Sequence, residues 1–218
     1  MAETTEQLIE RLVTRAVPVR RLRPPLVRAV LWLISVAVVA GLAVFWLSDL
    51  SEFAARPQDP KFLTEMVAAL STGIVAILAA FQLSYPDRSS RWMILPLPFL
   101  ALWIASSGYA CYQNWIVYGA EGWEWGESAA CFLFILGTSV PLAITLLVRL
   151  RRSRPLAPVR VAAVAGLGVA AVSAFLLQFF HPFDITFMDL SVHAVAVGLV
   201  VLVTSLSGRF SSTATPHI

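Results

Sequence analysis

Six apolar runs, each close to twenty residues long, alternate with short polar stretches along the chain. They fall at about 29–49, 65–83, 92–110, 129–148, 160–180 and 187–207. A helix needs about 20 mostly apolar residues to cross the hydrocarbon of a bilayer, and spanning segments must satisfy every backbone polar group internally. The pattern therefore predicts an all-α integral membrane bundle of six transmembrane helices. Residues 3–16 follow a different rhythm. Leu8, Ile9, Leu12, Val13 and Ala16 recur at helical spacing, with Glu6, Glu10, Arg11 and Arg15 on the other side. Thr4 with Gln7 fits a capping box, and Pro18 closes this short amphipathic helix. Pro96, Pro98 and Pro141 fall inside the third and fourth runs, where kinks are expected and neighbouring helices can compensate for a lost backbone bond.

The charges turn this pattern into a topology. Arg11, Arg15, Arg20, Arg21, Arg23 and Arg28 precede the first run, Arg88 and Arg91 lie between the second and third, and Arg149, Arg151, Arg152, Arg154 and Arg160 lie between the fourth and fifth. Arg209 follows the sixth, and the alternate loops hold only Arg56 and Lys61. By the positive-inside rule both termini belong in the cytoplasm. The chain then divides into a cytoplasmic amphipathic and basic segment 1–28, a six-helix domain 29–210 and a cytoplasmic tail 211–218. No internal repeat is visible, and the loops are too short to fold as domains of their own. The first run follows about 28 mostly polar residues, and no small-residue cleavage site comes after it, so it is expected to stay as an anchor.

Composition agrees. The chain is 58% hydrophobic and 13% charged, against roughly 45–50% and a quarter in soluble domains. Its basic balance is accounted for by topology, so no direct nucleic-acid partner is expected.

The candidate chemistry gathers outside the cytoplasm. The only two cysteines, Cys111 and Cys131, bracket a loop without Lys or Arg, and they sit at the same end of the third and fourth runs. An oxidising compartment favours pairing; a bridge would close a loop of about 20 residues and contribute roughly 3 kcal/mol on the chain-entropy model. The plainer role is that of two small buried apolar side chains. Glu127, His181, Asp184, Asp189 and His193 lie toward the same face. With the thiols they suit a soft or borderline metal, but their spacing matches no established metal motif. A hydrogen-bonded interfacial cluster is the simpler expectation, and no resident cofactor is expected. Gln82 and Gln178, near span ends, are read as interhelical hydrogen-bonding groups. A thiol-transfer enzyme would more typically show a Cys-x-x-Cys pair, and a transporter repeated halves or midplane charges. Neither pattern is present, which leaves a non-enzymatic regulatory protein. A small metal or solute transporter using Glu127, Asp189 and His193 is the alternative. The natural partner surface is the apolar face Leu8, Ile9 and Leu12 with Arg15, Arg20, Arg21 and Arg23, together with Arg151 and Arg152 of the fourth loop. Anionic lipid could occupy the same surface.

Several stretches together resemble one family. PVRRLRPPLVRAVLWL before the first run, RWMILPLP opening the third, the Cys111 and Cys131 pair, VRLRR closing the fourth, and LLQFFHPFD with His193 are similar in order and spacing to the NrsF family of six-span bacterial membrane proteins. The resemblance implies an anti-sigma factor of the bacterial inner membrane that holds an extracytoplasmic-function sigma factor. It further implies that Cys111 and Cys131 face the periplasm and sense oxidative or heavy-metal stress. The sigma-contacting role falls to the N-terminal segment and the adjacent arginine loops.

Overall fold

The computed structural model describes residues 4–15, 22–48, 60–119, 125–180 and 187–212. Among them run seven α-helices: α1 (Thr5–Thr14), α2 (Pro25–Leu47), α3 (Pro60–Leu83), α4 (Leu97–Tyr118), α5 (Trp125–Arg151), α6 (Pro158–Leu177) and α7 (Phe187–Ser212). A short 3₁₀ turn at Ser90–Met93 precedes α4, and no strand occurs among the described residues. Six of these stretches are long and apolar enough to cross a membrane. The expected six-span, all-α bundle is what the chain forms.

The third span departs from expectation, and proline explains why. Pro96 is the N-cap of α4 and Pro98 lies in its first turn, with no side-chain cap. A proline there loses no helical bond, because the first N–H groups have no partner anyway. Both residues therefore start the helix rather than kink it. The helix then runs on to Tyr118 and stops at Gly119, whose φ of 66° is the left-handed geometry that favours glycine. Among the described residues only Pro141 lies in a helix interior, in α5.

Helices α3 and α6 form the centre. Ala, Gly and Ser dominate the buried side of α6, and such small side chains let membrane helices approach closely. A Cβ on Gly73 would stand 3.2 Å from the Val172 backbone nitrogen and 3.3 Å from the Gly168 carbonyl oxygen. One on Gly168 would stand 3.1 Å from the Ile77 nitrogen and 3.2 Å from the Gly73 oxygen. The two glycines thus allow contact between backbones. Ala76, Ala80, Ala165 and Val169 continue the seam as part of the main core.

The other helices surround this pair. Helix α2 packs on α3, and α4 packs on α3 and more lightly on α7. Helix α5 lies along both α6 and α7, and α7 also packs extensively on α6. The cysteine-bearing α4 and α5, although consecutive in the chain, make no extended contact with each other. Both border α7 instead. Helix α1 stands apart. Its capping box is formed, with Gln7 N–H donating to Thr4 Oγ1 at 3.4 Å and Thr4 N–H to Gln7 Oε1 at 3.1 Å, but it has no buried residue.

Candidate functional site

At one end of the bundle four helices bring polar groups into an otherwise apolar interior. Cys111 lies about two turns before the end of α4, and Cys131 about two turns after the start of α5. Their depths match, as the sequence indicates. Both lie deeper than expected, because the helices extend further into the loop than the apolar runs do.

Each cysteine is a buried thiol. Cys131 packs with Ile135 of its own helix, Leu177 of α6 and Ala196 of α7. Cys111 lies close enough to Asp189, in the first turn of α7, for the carboxylate charge to act on its sulfur. Asp189 is itself buried, and its Oδ1 accepts a hydrogen bond from Ser128 Oγ of α5 at 2.6 Å. A negative side chain at a helix N-terminus is also favoured by the helix dipole. Asp189 thereby joins α5 to α7. His193, one turn on, donates from Nδ1 to the Asp189 carbonyl oxygen at 2.8 Å. That bond commits one ring nitrogen to the backbone of its own helix.

Beside this group lies an acidic residue that hydropathy alone does not reveal. Glu65 of α3 is only 6% exposed, and its Oε1 accepts from Ser107 Oγ of α4 at 2.8 Å. Ser107 is one turn from Cys111, so both face the same seam. The signal was available: Glu65 is the one acidic residue between Lys61 and Tyr85. Taken as the first residue of a span, it reads as interfacial; the helix in fact begins at Pro60.

Among the described residues, no three His, Cys, Asp or Glu side chains come together as a group that could hold a metal. The side chain of Glu127, and His181 and Asp184 altogether, lie outside the described residues. Of the expected polar cluster, Asp189 and His193 lie one turn apart on α7, joined through the Asp189 carbonyl oxygen. The structure adds Ser128, bonded to Asp189, and the pair Glu65 with Ser107. Gln82 is buried near the far end of α3, and Gln178 caps α6.

The opposite end carries arginines. Arg28 of α2 reaches Ser153 and the Arg149 carbonyl oxygen, and Tyr85 OH donates to the Arg23 carbonyl oxygen at 3.0 Å. The turn between α5 and α6 is closed by Arg154, with a φ of 47°, immediately before Pro155. Arg23, Arg151 and Arg152 are exposed, and Leu156 projects from the same turn at 81% exposure. Arg20 and Arg21 lie outside the described residues. On α1, Leu8, Ile9, Leu12 and Val13 are all exposed, as is Arg15 at its C-cap. An exposed apolar stripe of this kind is suited to a partner helix or a bilayer surface.

Comparison with known proteins adds one finding. The family model NrsF, described as negative regulator of sigma F, matches residues 12–211. No curated protein and no solved structure matches the chain.

Proposed function

Because the chain belongs to the NrsF family of negative regulators of sigma F, we propose that it is a membrane anti-sigma factor with a thiol-controlled grip. In this reading it sequesters an extracytoplasmic-function sigma factor at the arginine-rich end of the bundle. That end, with both termini, faces the cytoplasm across the bacterial inner membrane, and the cysteines face outward. Sequestration uses the face of α1 with Leu8, Ile9, Leu12 and Arg15, the exposed Arg23, Arg151 and Arg152, and Arg20 and Arg21 of the basic stretch ahead of α2. The protein acts by binding, without catalysis or a resident cofactor.

One observation carries the link between the two ends: both thiol-bearing helices border α7. Cys131 shares an apolar cluster with Ala196 of α7. The other end of α7 reaches the arginine turn, where Arg151 donates to the Ser207 carbonyl oxygen at 3.5 Å. A Cβ on Gly208 there would stand 2.8 Å from the Pro158 carbonyl oxygen. When an oxidant removes one hydrogen atom from each sulfur, a disulfide draws α4 and α5 together at this end. A thiophilic metal ion held between the two sulfurs does the same. Because both helices border α7, drawing them together disturbs α7, and the disturbance passes along it to the sigma-binding surface.

Taking a bound population from 99:1 to 1:99 requires about 5.5 kcal/mol of bias. A bridge closing a loop of this size contributes about 3 kcal/mol, so one disulfide gives graded rather than complete release.

Cys111→Ser and Cys131→Ser, assayed with a reporter of the sigma regulon, test this reading. Repression should persist with either substitution, while induction by oxidant and by thiophilic metal should be lost. Normal induction in both would overturn thiol control. Co-purification of a sigma factor with the solubilised protein, and its loss on oxidation, tests the partner separately.

A further inference from the structure

Hydroxyl groups on membrane helices usually bond back to a carbonyl of their own helix, and most of those here do so. Thr72 donates to Ala68 O, Thr138 to Phe134 O, Ser191 to Phe187 O and Ser205 to Val201 O. Ser107 instead donates across to Glu65 Oε1 on α3. The second carboxyl oxygen, Oε2, is buried and has no hydrogen-bond partner. An ionised carboxylate in a bundle interior, with one oxygen unsatisfied, is strongly disfavoured. As a carboxylic acid the group carries no charge, keeps an acceptor bond on one oxygen and holds its hydrogen on the other; an unpaired neutral O–H costs far less than an unpaired buried charge. The Ser107 bond and the bare Oε2 fit that form.

We infer that Glu65 is a membrane-embedded proton site, in which Oε2 carries an exchangeable proton and the neutral acid pins α4 to α3 through Ser107. The ligand is the proton itself. Losing it places a full charge in the seam with one hydroxyl to stabilise it, so the seam must open to water and α4 must shift. Around Glu65 the titratable side chains at this end are few. On α3, Lys61 lies with Nζ 5.6 Å from the ring centroid of Tyr109 on α4. Helix α4 also carries Cys111, and α7 carries Asp189 and His193. The corresponding ends of α2 and α6 have no titratable residue. The site is independent of thiol control, although Cys111 is one turn from Ser107 and reports on the same seam.

The experiment uses the full-length protein in membranes treated with dicyclohexylcarbodiimide, an apolar reagent that modifies protonated carboxyls in dry surroundings. The acid proton passes to a carbodiimide nitrogen as the carboxyl oxygen adds to the central carbon. An oxygen-to-nitrogen acyl shift then leaves an N-acylurea containing every atom of both reactants. Peptide mass mapping should find this adduct on Glu65, with a yield that falls as pH rises. It should be lost in Glu65→Gln, retained in Ser107→Ala, and absent when a charged, water-soluble carbodiimide is used. No adduct on Glu65 at any pH, or modification by the water-soluble reagent alone, would overturn the proposal.

A second measurement follows alkylation of Cys111 across the same pH range in wild type and in Glu65→Gln. At high pH the Cys111 thiol should react faster in wild type than in Glu65→Gln. Superimposable profiles would show that the proton does not control the seam. If Glu65→Gln fails to fold, the wild-type adduct and its pH dependence still decide the matter.

Discussion

Arg28, in the first turn of α2, holds its guanidinium 5.4 Å from the centroid of the Phe81 ring near the end of α3. Its nitrogens also donate to Ser153 Oγ and to the Arg149 carbonyl oxygen, at the end of α5. One side chain therefore ties three helices. It can do so because a guanidinium stacks on an aromatic face while its planar fork donates in the plane.

Arg28→Ala should lower stability by about 1.5–3 kcal/mol, the range for hydrogen bonds to charged groups. Arg28→Lys should recover little of it, since a compact ammonium lacks the planar fork that spans two acceptors while lying on an aromatic face. Thermal unfolding of the detergent-solubilised protein, followed by size exclusion, checks both. A lysine substitution as stable as wild type would show that charge alone is sufficient.

Gly73→Val and Gly168→Val should each be more damaging than a substitution at an open position. The new Cβ at either site meets backbone atoms at 3.1–3.3 Å, and backbone cannot move aside as a flexible side chain can. Overpacking of this kind costs about 1–3 kcal/mol. Gly41→Ala is the control, because nothing lies within 4 Å of a Cβ there; it should be neutral or slightly stabilising. Equal tolerance at all three positions would mean that α3 and α6 do not touch.

Leu8→Asp and Leu12→Asp should separate partner binding from folding. Both side chains are exposed, and α1 buries nothing. Stability of the bundle should change by less than about 0.5 kcal/mol, as for ordinary surface substitutions. Repression of the sigma regulon should nevertheless be lost at unchanged membrane levels of the protein. Undiminished repression would move the binding surface to the arginine turn.

Much of this architecture is written in hydropathy. Six apolar runs locate six helices, and Thr4 with Gln7 locates the start of α1, because those signals are local. Helix ends at the cysteine side are less legible. The polar aromatic stretch from Tyr112 to Tyr118 has no hydropathic signature of a span, yet it continues α4 until Gly119 permits a stop. Pro96 and Pro98 look like kinks when only their position within an apolar run is considered; as the beginning of a helix they are ordinary. The lack of an α4–α5 seam could not be read from adjacency in sequence, since it depends on where α7 lies. Glu65 was hidden for a related reason. A single acid near the edge of an apolar run looks interfacial until a partner such as Ser107, far away in the chain, shows that it is inside.

The Gly73–Gly168 crossing turns α3 and α6 into an axle. Backbones this close leave little room for either helix to slide or tilt, so on the proposed reading it is the outer blades that should turn around a stationary shaft. Substitutions that loosen the shaft should blur every signal alike, whereas those in a single blade should silence one message and spare the rest.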